Sequence, residues 1–82
     1  MPRPLHSREI EAFRAVIQTG TTTAAAQLLH TTQPSVSRLL AQMQAAAGLK
    51  LFGMHKGRLR PTPEAMDLYG TVQQHFLGRD RI

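Results

Sequence analysis

Residues Thr21 to Met43 read TTTAAAQLLHTTQPSVSRLLAQM. This stretch predicts a short helix, a tight break and a second helix with a polar outer face. Thr21 or Thr22 caps the short helix, because a threonine hydroxyl satisfies backbone N–H groups that have no partner in the first turn. Ala24, Ala25 and Ala26 follow, and alanine is the best helix former. Leu28 and Leu29 then share a face with Ala25, which gives one narrow apolar stripe. A helix this short is marginal in water and depends on packing against its neighbours.

His30, Thr31 and Thr32 interrupt the apolar pattern. Thr32 is a natural cap for the next helix, and Pro34 fits a first turn, where its missing N–H is not needed. Val36, Leu39, Leu40 and Met43 recur at helical spacing and mark the buried stripe. Ala45, Ala46 and Ala47 carry this helix on to Gly48. The opposite face carries Gln33, Ser35, Ser37, Arg38 and Gln42, with no carboxylate. Such side chains suit the major groove of DNA. Arginine reads guanine O6 and N7, glutamine reads adenine N6 and N7, and serine takes bases or phosphates. An ordinary solvated face is the plain alternative, but such faces usually include Glu or Asp.

The distribution of charge agrees. The chain has 82 residues and a net charge of +5. All of its acids (Glu9, Glu11, Glu64, Asp67 and Asp80) lie near the ends. Between Ala12 and Pro63 there is no carboxylate, whereas Arg14, Arg38, Lys50, Lys56, Arg58 and Arg60 fall inside. A phosphate backbone is the partner this field attracts best. No helix pairs a basic face with large apolar residues, so a membrane surface is not indicated. There is no cysteine, which removes disulfides, thiolate catalysis and cysteine-based zinc sites and suits a reducing compartment. No apolar run is long enough to span a membrane, so a cytoplasmic protein is expected.

Upstream, Met1 to His6 is a short lead in which Leu5 tucks under the first helix. Ser7 is the expected cap of that helix. Ile10, Phe13, Val16 and Ile17 form its apolar face, with Glu9, Glu11, Arg14 and Gln18 outside. Glu9 also favours the positive end of the helix dipole, and Thr19-Gly20 ends the helix. Downstream of Gly48 the period changes. Leu49, Leu51 and Phe52, then Leu59, flank Gly53-Met54-His55-Lys56-Gly57-Arg58. That pattern predicts a β-hairpin, a wing, with Lys56 and Arg58 at its tip and Arg60 on the return strand. These cations are expected to meet the DNA backbone or the adjacent minor groove, where a solvated loop is the alternative.

Thr62-Pro63-Glu64 starts a last helix with a capping hydroxyl, a proline in the first turn and an acid beside the dipole. The helix is expected to run to about Leu77. Ala65, Tyr69, Val72 and Phe76 follow alternating four- and three-residue steps, a coiled-coil-like seam expected to pair with a second copy. Met66 and Leu68 lie off that seam and are expected to pack on the domain itself; a helix folded wholly onto its own domain is the alternative. Residues 1–62 are therefore read as the winged helix-turn-helix, within a mainly α fold, and residues 63–82 as a dimerising linker helix.

The sequence resembles the N-terminal DNA-binding region of LysR-type transcriptional regulators. The likeness is carried by the helix Phe13 to Ile17, then TG-T-T-AAA (Thr19 to Ala26), then Leu29-x-x-Thr-Gln-Pro-Ser-Val-Ser-Arg (Leu29 to Arg38). Gly48-Leu-Lys-Leu-Phe and Pro61-Thr-Pro-Glu follow in the right order. The resemblance implies a winged helix-turn-helix followed by a linker helix that dimerises. It implies base contacts from Gln33, Pro34, Ser37 and Arg38. It implies backbone contacts near Thr21, Thr22 and Thr23 and from the wing; Thr32, Ser35 and Gln42, at the flanks of the reading face, are expected to join them. This chain departs from the family, which often has Leu-Glu at Met43-Gln44, Arg at Met54 and Gly at Ala65. The run Glu11-Ala-Phe-Arg-Ala-Val, with Thr23-Ala-Ala-Ala, looks most like the branch that controls amino-acid and opine catabolism.

The expected partner is double-stranded DNA bearing an interrupted palindrome, bound by a homodimer whose terminal helices pair antiparallel. No cofactor is expected, and a small-molecule inducer belongs only to a longer form of such a regulator. An enzyme is not expected. His6, His30, His55 and His75 stand singly, with no second ligand at metal-binding spacing, and no glycine-rich phosphate loop is present. The rival is a winged helix that binds proteins and no nucleic acid. It calls for an apolar or acidic outer face on the second helix, unlike the stretch from Gln33 to Gln42.

Overall fold

The computed structural model describes residues 5–55 and 58–80, and for Arg58 and residues 75–80 it describes the backbone alone. Four helices and one hairpin follow in order: α1 Ser7–Thr19, α2 Thr22–Leu28, α3 Gln33–Ala47, β1 Phe52–His55, β2 Arg58–Pro61 and α4 Pro63–Asp80. The expected winged helix-turn-helix is present, and α4 runs one turn beyond its expected end.

Phe13 is the centre of the core, fully buried with Ala12, Ala25, Val36, Met43 and Leu51 around it. Its ring meets Phe52 edge-on at 5.9 Å and Tyr69 edge-on at 6.3 Å. One side chain of α1 thus joins the root of the wing to α4. Leu5, Ile10 and Ile17 pack around the rim.

Local chemistry sets the ends of the elements. Gly20 adopts φ 92°, in the left-handed region that glycine enters without a Cβ penalty, and stops α1. Thr21 caps α2 by accepting from the Ala24 N–H at 3.0 Å. Thr32 caps α3 by accepting from the Ser35 N–H at 3.3 Å. Thr62 caps α4 by accepting from the Ala65 N–H at 3.1 Å, and its hydroxyl donates to the Lys50 carbonyl at 2.6 Å.

The turn between α2 and α3 is a Schellman motif. The Thr31 N–H donates to the Ala26 carbonyl at 2.9 Å and the His30 N–H to the Gln27 carbonyl at 3.3 Å. The left-handed position that glycine usually fills is held here by His30, with φ 56°.

The wing pairs antiparallel, with Phe52 opposite Pro61, Gly53 opposite Arg60, Met54 opposite Leu59 and His55 opposite Arg58. Its angle to α3 is fixed by Gln44, near the end of that helix. The Gln44 Oε1 accepts from the backbone N–H of Leu51 at 2.8 Å and of Phe52 at 3.1 Å. At this position the side chain serves the fold, as an acceptor that braces β1.

Five expectations are corrected. Ser7 is the first residue of α1 and not its cap; the cap position is His6, whose backbone N–H donates to Glu9 Oε1 at 3.0 Å. Glu9 is not outside but fully buried, because that bond turns its carboxylate back over the start of the helix. Leu28 is 55% exposed and does not share the packed face, which belongs to Ala25, Ala26 and Leu29. Helical steps set Leu28 to the side of the stripe that Ala25, Ala26 and Leu29 centre.

The other two corrections concern α4. Ala65 is 0% exposed, Val72 is buried, and Tyr69 packs its ring on Phe13. Within this chain Tyr69 of the expected seam thus packs on α1, and Ala65 and Val72 are turned away from solvent. Gln18 of α1 donates to the Tyr69 hydroxyl at 3.4 Å, and Arg14 donates from Nε to Gln73 Oε1 at 2.7 Å. The side chain of Phe76, the last seam residue, lies outside the described residues. Leu68 packs on the core as expected, but Met66 does not, being 46% exposed.

Two stability changes follow. Gln44→Ala strands two N–H groups and is expected to cost about 1–2 kcal/mol, whereas Gln44→Glu keeps the acceptor and most of the stability. Urea unfolding checks this, and an alanine variant as stable as the parent contradicts the bracing role. His30→Gly relieves a left-handed side chain and is expected to gain about 0.5–1 kcal/mol, whereas His30→Val loses stability. A glycine variant that melts lower shows that the imidazole makes contacts worth more than the strain.

Candidate nucleic-acid interface

The exposed face of α3 is set by its buried one. Val36, Leu40, Met43 and Ala46 point into the core, so Gln33, Pro34, Ser37, Arg38 and Gln42 are turned outward and exposed. This is the face expected from the sequence. Neighbouring groups steady it at its N-terminal end. The Gln33 Nε2 donates to the Thr22 hydroxyl at 3.0 Å, which ties the start of α3 to the start of α2. The Thr32 hydroxyl donates to Ser35 Oγ at 2.9 Å, so Ser35, half-buried, is engaged in the cap.

The other expected residues divide. Thr21, Thr22 and Thr23 cluster at the N-terminus of α2, beside Gln33; Thr21 and Thr23 are exposed and Thr22 is half-buried. Arg60 is exposed on β2. Lys56 and the side chain of Arg58 lie outside the described residues. Gly20, Thr21, Thr22, Gln33, Ser37, Met54 and Leu59 line one open groove between the helix-turn-helix and the wing.

Two residues join the surface without having been expected in it. Arg8, near the start of α1, borders a shallow depression with Ser35, Arg38, Leu39 and Gln42. It adds a second guanidinium to the flank of the reading face. Its sequence position gives no sign of this, since only the crossing of α1 over α3 brings it there. Met54 enters through the wing and lies 68% exposed on the groove wall.

The arrangement offers a convex, polar helix face free of carboxylates, with Arg8 on one flank and hydroxyl-bearing helix starts beside it. It presents hydrogen-bond donors and positive charge to an extended anionic surface. Among the described residues no group of three or more His, Asp and Glu is placed to hold a metal ion.

Known proteins share this architecture. Residues 7–66 match the bacterial regulatory helix-turn-helix proteins of the lysR family. Over 75 residues the chain is 51% identical to the transcriptional activator protein LysR of Escherichia coli K12, covering 92% of this chain and 24% of that protein. It is 42% identical over 78 residues to the octopine catabolism/uptake operon regulatory protein OccR of Rhizobium meliloti, covering 95% of this chain and 26% of that one. The chain thus spans about a quarter of the length of these relatives. Among solved structures, the BenM DNA-binding domain in complex with benA site 1 DNA superposes with a TM-score of 0.82 at 26% identity, covering 90% of this chain and 83% of that one. With its matched span, its wing and its helix-turn-helix in the same order, the chain belongs to the lysR family of bacterial regulatory helix-turn-helix proteins.

Proposed function

We propose that this chain is the DNA-reading part of a LysR-type transcriptional regulator, and that it sets α3 in the major groove of double-stranded DNA. The observation that carries this reading is the α3 face: exposed, rich in donors, without a carboxylate and bordered by Arg8. Arg38, Gln33 and Ser37 reach base edges, and Pro34 packs against them. Thr21, Thr22, Thr23, Thr32, Ser35 and Gln42, with Lys56, Arg58 and Arg60 of the wing, position the domain on the backbone. The protein-binding rival gains no support from this face. The relatives are regulators and not enzymes by name, which suits a binding role.

The target is read as an interrupted palindrome, because a two-fold dimer mirrors its site. The dimer forms through α4, residues 63–82 serving as linker, but by the exposed flank beside the face of Ala65 and Val72. Met66 and Gly70 are exposed there, and a Cβ added at Gly70 meets nothing within 4 Å, so a second helix has room to approach. Among the described residues no helix is long and apolar enough to cross a membrane, in keeping with action in the cytoplasm. The likeness to OccR, by name a regulator of octopine catabolism and uptake, suits the amino-acid and opine branch.

Arg38→Ala is expected to cost about 1–3 kcal/mol on a selected site and to relax preference at one base pair, whereas Arg60→Ala weakens all sequences alike and flattens the salt slope by about 0.9. Titration of selected and scrambled duplexes separates the two, and equal losses for Arg38→Ala on both duplexes contradict its role as a base reader. For the dimer, Met66→Glu or Gly70→Glu is expected to yield monomers in sedimentation. Dimers that persist in both variants place the interface elsewhere.

A further inference from the structure

The wing carries an apolar contact that the charge pattern does not announce. Side chains alternate along a strand, so Phe52 and Met54 lie on one side of β1. Phe52 is buried against Phe13, and Met54, one step further out, projects past the edge of the core. Its cross-strand partner is Leu59, half-buried on the core rim. Met54 and Leu59 together form one wall of the open groove, and the other wall is polar: Thr21, Thr22, Gln33 and Ser37. Among the described residues no charged side chain lines this groove. Isolated apolar residues on a surface are common, but this one stands beside the reading helix, in the groove the wing makes with it.

We infer that Met54 is a DNA-contacting residue of the wing, one that supplies apolar rather than ionic contact; this rests on the DNA reading above. The polar wall takes phosphate oxygens from its hydroxyl and amide donors. The thioether, flexible and polarisable, lies against the apolar edge of the same strand, either a deoxyribose or a thymine methyl. Such a contact releases no counterions. It therefore adds affinity that salt does not erode, unlike the contribution of Arg60 on the neighbouring strand.

The test is the salt dependence of binding to a long mixed-sequence duplex, made once with thymidine and once with deoxyuridine. Met54→Ala is expected to weaken binding by about three- to tenfold at every salt concentration, with the slope unchanged. Met54→Arg is expected to steepen the slope of log K against log salt by about 0.9. The parent side chain is 68% exposed, so melting temperatures are expected to hold; Met54→Gln, of similar length, replaces alanine if they do not. A loss on the uracil duplex seen in the parent but not in Met54→Ala assigns the contact to the methyl group. Equal behaviour of the two duplexes assigns it to the sugar. If Met54→Ala binds like the parent, or Met54→Arg leaves the slope unchanged, Met54 does not touch DNA and the inference falls. Failure of the parent itself to bind at low salt removes instead the DNA reading on which the inference stands.

Discussion

The ring of Phe13 is the constraint on which the rest of the domain depends. It is fully buried and meets Phe52 and Tyr69 edge-on at 5.9 and 6.3 Å. Each such pair adds roughly 0.5–1.5 kcal/mol beyond the area it buries. The geometric consequence matters more than the energy. Phe52 begins the wing and Tyr69 sits in the second turn of α4, so one side chain of α1 sets where both elements leave the core. Gln44 completes the constraint from the other side by holding the Leu51 and Phe52 N–H groups at the end of α3. Reading helix, wing and linker are therefore fixed relative to one another by a few contacts, none of which uses the outward face of α3.

That separation is what a reading surface requires. The core takes Val36, Leu40 and Met43 from α3 and leaves Gln33, Ser37 and Arg38 to solvent. α2 has only seven residues and cannot hold itself. It is held by alanine packing beneath, by its threonine cap, and by the Gln33 amide reaching to Thr22. The left-handed His30 is tolerated because both hydrogen bonds of the Schellman turn over-determine it. Rigidity at the helix starts lowers the ordering cost of meeting a duplex.

Much of this was legible in the residues, for a local reason. Caps and turns are decided within four residues of chain, so Thr21, Thr32, Thr62 and Gly20 announce themselves. The α3 stripe is equally plain, since helical spacing alone separates Val36 and Met43 from Ser37 and Arg38. What escaped was tertiary. The four- and three-residue steps of Ala65, Tyr69 and Val72 identify an apolar face, but the same spacing serves a partner's helix or the chain's own α1. Periodicity finds a face without saying what covers it. Glu9 reads as a surface acid until its carboxylate is seen folded back to the His6 N–H. Arg8 joins the candidate interface only through the crossing of α1 over α3, and Met54 only through the register of the hairpin.

The α3 face, the start of α2 and the wing, and not the remaining surface, meet DNA in the proposed complex. Titrating isotopically labelled protein with a duplex and following the backbone amide resonances tests this residue by residue. Shifts are expected at Thr21 to Thr23, Gln33 to Gln42, Met54 and Arg60, with Glu11, Gln18 and the amides of α4 unmoved. Shifts centred on α1 or α4, or none at low salt, would contradict that placement.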